Sequence, residues 1–323
     1  MKTNSGTLAA PFPWFGGKSG ACELVWHAFG DVQNYVEPFA GSAAMLLGAP
    51  EGKRIETIND FDGFVANFWR AIHADSEAVA HHADWPCNEN DLFARHSWLM
   101  RHAQGLTEKL HADPDYFDAK MAGWWCWGAC NWIGSGWCGG EGPWIHDGEK
   151  LVDRRQLPHL SAGQGINRQL PHLSAGRGQF IYTWFASLHD RLRDVRVACG
   201  DWSRVVKDSV TVRHGLTAVF LDPPYFKGEM DYAAGGVGTN LPAEVGTWCA
   251  TNGDNPKLRI VICGHAGEHD ALLAKGWTER KWTARKGYAI TDEAVANSAS
   301  ETIWCSPHCV AKMSDDQFSL ELF

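Results

Sequence analysis

The near-continuous apolar run Thr217–Leu221, "TAVFL", is followed at once by Asp222, Pro223, Pro224 and Tyr225. Two prolines cannot donate to a sheet ladder, so a strand must end there. Just past that end stand a carboxylate and an aromatic ring on a stiff backbone, held at the C-terminal end of a strand. That edge is where open α/β sheets place their chemistry.

The rest of the chain repeats the pattern. "NYVEPFAGSAAMLLG" reads as a short strand through Tyr35 and Val36, a turn with Pro38 and Gly41, then a helix start. "RIETIND" alternates as a strand, and "GFVANFWRAIHA" has helical spacing at Phe64, Phe68 and Ile72. Later, "VRVACGDW" and "LRIVICGH" read as strands, "PAEVGTWCATN" as a helix between strands, and "ETIWCSP" as a late strand. Strands alternating with helices predict an α/β fold with a mostly parallel sheet covered by helices on both faces.

Residues 80–185 break this rhythm. The segment holds "GWWCWGACNWIGSGWCGGEGPW" and a direct 13-residue repeat, "RQLPHLSAGQG" at 155–165 and "RQLPHLSAGRG" at 168–178. Two copies are too few for a solenoid. The expected division is therefore a discontinuous catalytic domain of residues 1–79 and 186–310, an inserted target-reading region at 80–185, and a tail at 311–323.

At 45% apolar residues the chain can bury a sizeable core. No apolar run reaches the roughly 18 residues that span a membrane, and the N-terminus lacks the pattern of a secretory signal. The ten cysteines then read as reduced thiols. Cys126, Cys130, Cys138 and His146, and the late group Cys305, His308 and Cys309, lack the spacing of a zinc ribbon or finger, so no metal is expected. The net charge of −9 is unevenly spread. From Lys150 to Lys207 ten lysines and arginines stand against four acids, so that stretch carries +6 and the remainder −15. One cationic face meeting phosphates fits this asymmetry.

Three further stretches could carry a site. In "PFPWFGGKSG", Trp14 offers a flat wall, the glycine pair lets backbone approach a ligand, and Lys18 supplies a charge. "EPFAGSAA", from Glu37 to Ala44, has the strand, glycine turn and helix start of a nucleotide-binding βα turn without GxGxxG. In "INDFD", Asp60 ends the second strand where a carboxylate can accept ribose hydroxyls, and Asp62 is placed to cap the next helix. For Asp222 the chemistry to consider is an amine conjugated to a flat ring. The carboxylate and the Pro223 carbonyl can each accept one N–H, drawing the nitrogen towards tetrahedral geometry while Tyr225 stacks on the ring.

Taken in order, Trp-x-Gly-Gly-Lys, Glu-Pro-Phe-x-Gly, Asn-Asp-x-Asp, a long insert and Asp-Pro-Pro-Tyr resemble the Dam-type DNA adenine methyltransferases, in their alpha motif order. The resemblance covers roughly residues 11–70 and 195–305. It implies a Rossmann-like sheet binding S-adenosylmethionine, with Trp14, Lys18, Glu37, Pro38, Phe39, Gly41, Asp60 and Asp222 at the cofactor and Asp222, Pro223, Pro224 and Tyr225 at the target adenine. It further implies methylation of the N6 amine in double-stranded DNA after base flipping. Ala43 stands where many members carry a further glycine, and the insert matches no recognition domain of that type.

Arg154, Arg155, Arg168 and Arg177 are the expected phosphate or guanine contacts. Cytosine or RNA adenine as substrate, a silent DNA-binding relative, and a donor carrying a larger group stay open. The tail Gln317–Phe323 resembles the peptide by which bacterial replication and repair proteins dock on the sliding clamp. A bacterial cytoplasm or nucleoid setting, with a phage or mobile-element origin, is the associated expectation.

Overall fold

The computed structural model describes residues 8–14, 18–132, 137–139, 144–146, 151–153, 181–224, 241–282 and 301–310. Its main sheet contains β1 (Asn34–Glu37), β2 (Ile55–Asp60), β5 (Val195–Cys199), β6 (Thr217–Leu221), β7 (Leu258–His265), β8 (Thr278–Lys281) and β9 (Glu301–Cys305). A separate antiparallel pair joins β3 (Trp144–His146) to β4 (Leu151–Asp153). The sheet order is β5-β2-β1-β6-β7-β9-β8. The first five strands run parallel, and β9 pairs antiparallel with both β7 and β8. From β1 the chain moves outward to β2, whereas from β6 it moves the other way to β7. The gap between the C-terminal ends of β1 and β6 is therefore the topological switch point, where such sheets bind ligands.

The side-chain period of two explains the two-faced core. Ala218, Phe220, Val261, Cys263, Ile303 and Cys305 project into one buried cluster, shared with α1 (Cys22–Phe29), α2 (Ala44–Leu47) and α3 (Gly63–Ala83). Val219, Leu221, Ile260, Ile262 and Trp304 project into the other, covered by the helix Leu241–Asn252. β6 is buried at every position, as a central strand covered on both faces must be.

The tryptophan-rich region is largely packed against this core. α4 (Glu89–His102), α5 (Leu106–Ala112) and α6 (Ala119–Asn131) follow α3, and Trp125, Cys126, Trp127 and Cys130 of α6 belong to the first cluster. Asn67 of α3 and Asp118, the α6 cap, exchange hydrogen bonds of 2.9 and 2.8 Å. Arg95 lies over the rings of Trp85, Trp124 and Trp127, and Lys120 over Trp98 and Trp124. Cys126 and Cys130 both direct their thiols at the Pro11 carbonyl. The expected edges of the insertion, 79/80 and 185/186, fall inside α3 and α7 (Ile181–Leu192). Among the described residues no helix is long and apolar enough to cross a membrane.

Candidate functional site

Each parallel strand around the switch point delivers its last polar residue to the same edge. β1 ends on Glu37, β2 on Asp60, and Asp222 comes directly after β6. Asn59 fastens this edge: its buried Nδ2 donates to the carbonyls of Pro38 and Gly200, both at 2.9 Å, tying the turns after β1 and β5 together.

The glycine turn is over-determined. Gly41 has φ +47°, in the left-handed region that favours glycine. A β-carbon there would enter the Trp14 ring, which lies against it. The Gly41 N–H donates to Asp60 Oδ2 at 2.9 Å, and its carbonyl accepts from the Trp69 indole at 2.8 Å. Asp60 Oδ1 accepts from the Asp62 N–H, and Asp62 in turn caps α3 by accepting from Phe64 N at 2.8 Å. Ala43, the residue in place of a frequent glycine, also takes a left-handed φ of +50°. Phe39 stacks on Trp202, ring centroids 6.1 Å apart, beside the turn after β5.

Across the switch point Lys18 is almost fully buried, with Nζ 3.2 Å from Asp222 Oδ1 and 3.6 Å from Glu301 Oε2. Burial works against the ammonium, but Asp222, Cys263 and Glu301 outweigh it and raise its pKa above the ordinary lysine value. Glu37 lies between the two halves. Burial pushes its carboxyl up to about 8; the Tyr35 hydroxyl, donating at 2.8 Å, opposes this, while Asp222 and Asp60 add to it. Asp60 is raised to about 7, first by burial and then by Asp62, against the hydrogen bonds from its backbone donors.

Trp14, Lys18, Glu37, Pro38, Phe39, Gly41, Asp60, Asp222, Pro223 and Pro224 all line or support this one edge. Tyr225, Arg154, Arg155, Arg168, Arg177 and the tail Gln317–Phe323 lie outside the described residues. Sequence reasoning missed Glu301, the partner ring of Trp202, and the fastening role of Asn59. Asn59 sits inside a motif that was legible. Glu301 carried no signal, because only an antiparallel last strand brings its first residue to this edge.

Residues 14–110 match the family described as D12 class N6 adenine-specific DNA methyltransferase. Among curated proteins none matches the chain. The matched segment contains Trp14, Lys18, Glu37, Gly41 and Asp60 and stops well before Asp222.

Proposed function

Starting from the D12 class N6 adenine-specific DNA methyltransferase domain at residues 14–110, we propose that this enzyme moves a methyl group from S-adenosylmethionine to the N6 amine of adenine in double-stranded DNA, with the target base turned out of the stack. The carrying observation is the 3.2 Å ion pair between Lys18 and Asp222. It joins the family-matched segment to the Asp-Pro-Pro motif at a single sheet edge.

This edge suits the cofactor. The Gly41 turn leaves no room for a β-carbon and holds the Asp60 carboxylate in place, Asp60 retains lone pairs for hydroxyls, and Phe39 with Trp202 presents aromatic surface for a purine. Glu37 and Asp222 supply carboxyl groups at the end that would face a positive sulfur centre. When bound, S-adenosylmethionine supplies a methyl group activated by that charge.

The chain's own work is to present the amine. Its lone pair is delocalised into the purine ring, so the free amine is a poor nucleophile. Asp222 accepts one N–H and the Pro223 carbonyl the other, which localises the lone pair and stabilises the positive charge that grows on nitrogen. Two prolines fix both acceptors. Turning the base out costs a few kcal/mol, and stacking on Tyr225 returns about 1–3 kcal/mol. Residues 1–79 and 186–310 supply the catalytic groups, 80–185 reads the DNA through Arg154, Arg155, Arg168 and Arg177, and the enzyme acts in the bacterial cytoplasm.

Asp222→Ala is expected to reduce methyl transfer by about 10²- to 10³-fold, the scale of losing a preorganised acceptor at a developing charge, while DNA binding by fluorescence anisotropy stays within a few-fold. Near-full activity in this variant would remove Asp222 from the reaction. Digesting treated DNA and identifying the modified nucleoside tests the substrate; N4-methylcytosine in place of N6-methyladenine would overturn it.

A further inference from the structure

We infer that Glu301 is a positioning residue of the transfer centre, forming with Asp222 a pair of partly exposed carboxylates about the buried Lys18 ammonium. The inference rests on the proposed role of Asp222.

Topology puts Glu301 there. β9 runs antiparallel, and its first residue pairs with His265, the last of β7. A residue that opens an antiparallel strand therefore stands at the edge where the parallel strands finish. Its side chain is 13% exposed, and that of Lys18 only 4%. Oε2 of Glu301 is buried and takes no hydrogen bond among the described residues; the Lys18 ammonium at 3.6 Å is an ionic neighbour beyond good hydrogen-bond length. A structural strand start has no need of such a group. Burying a carboxylate is costly, and an apolar residue of similar volume would serve packing as well or better.

The electrostatics give Glu301 a purpose. A Lys18–Asp222 pair alone is neutral, and the ammonium would draw on the same carboxylate that has to receive the target amine. A second carboxylate on the ammonium shares that pull and leaves the trio at −1. That charge suits a crevice that receives a cationic donor and then a nitrogen becoming positive. Burial and Asp222 raise the Glu301 carboxyl, and the Lys18 ammonium opposes them in favour of the carboxylate.

The test uses the full chain with Glu301→Gln and the shorter carboxylate Glu301→Asp. Methyl transfer to DNA is followed between pH 6 and 9, S-adenosylhomocysteine binding by calorimetry, DNA binding by anisotropy, and folding by thermal melting. For Glu301→Gln we expect kcat to fall 10- to 100-fold. KM for DNA and Kd for S-adenosylhomocysteine should stay within threefold, and the acidic limb of the pH–rate profile should move to lower pH. Glu301→Asp should recover part of kcat.

A kcat within twofold of the parent with an unmoved limb overturns the inference. So does a loss in kcat that Glu301→Asp shares in full and that follows the loss of melting temperature. Should Glu301→Gln fail to fold, Glu301→Asp alone decides: an intermediate kcat with a moved limb supports the trio, and parental values overturn it. If Asp222→Ala stays active, the reading of the whole site fails; if only the Glu301 variants do, this inference alone fails.

Discussion

Asn59 shows how much one side chain can decide. It spends both amide hydrogens on carbonyls of two different turns, in a position 2% exposed to solvent. Asn59→Asp keeps the shape and replaces a donor with an anion facing two acceptors. Each unsatisfied buried group costs about 1–3 kcal/mol and a charged one more. The variant is expected to lose about 3 kcal/mol or more in denaturant unfolding and to bind S-adenosylhomocysteine poorly; unchanged stability would remove the fastening role. Gly41 is constrained differently, since its φ and the Trp14 ring both exclude a side chain. The Asn-Asp and Gly motifs were legible because short-range chemistry sets them: a strand end, a turn that needs positive φ, and a helix cap at Asp62. Glu301 was not, since its place depends on strand direction some eighty residues downstream of Asp222.

At the scale of elements, α3 and α6 approach closely at one glycine. A β-carbon on Gly123 would come within 2.6 Å of the Val79 carbonyl and 2.5 Å of the His82 Cβ. Backbone cannot yield as a flexible side-chain tip can, so Gly123→Ala must push the helices apart. Overpacking of this kind costs typically 1–3 kcal/mol, and a lower urea midpoint with unchanged slope would report it. An unaffected midpoint would mean that the two helices are less tightly apposed. α3 also bends at Asp75, whose φ of −152° and ψ of 76° are non-helical, and its second half runs on to Ala83. The helical spacing of "GFVANFWRAIHA" predicts the first half, and nothing in that spacing marks the bend. The tryptophan run of 124–127 shows no clean period because α6 is buried on several sides, in the apolar cluster and against Arg95 and Lys120.

For the whole molecule, the site's carboxyl groups govern how stability depends on pH. Folding holds Glu37 at about 8 and Asp60 at about 7, against ordinary values of 4.5 and 3.8. The folded chain thus binds protons more tightly than the unfolded one. Stability from these groups is complete below the ordinary carboxylate range and is lost as pH rises through about 7 to 8, an effect on the order of a few kcal/mol. The ligand-free protein is expected to melt higher at pH 6 than at pH 8.5, and Glu37→Gln should flatten that difference. A parent protein whose melting is insensitive to pH across this window would contradict the buried state of Glu37. The sequence by itself determined the alternation of strands and helices, the places where strands stop, and the motifs at three of those stops, because periodicity, proline and glycine act over a few residues. Only the tertiary structure decided which stops meet. Strand order put β1 beside β6 and so brought Glu37 near Asp222, packing of the segment before α1 set Lys18 against Asp222, and the reversal of β9 added Glu301, since proximity between residues two hundred positions apart comes from sheet topology and packing.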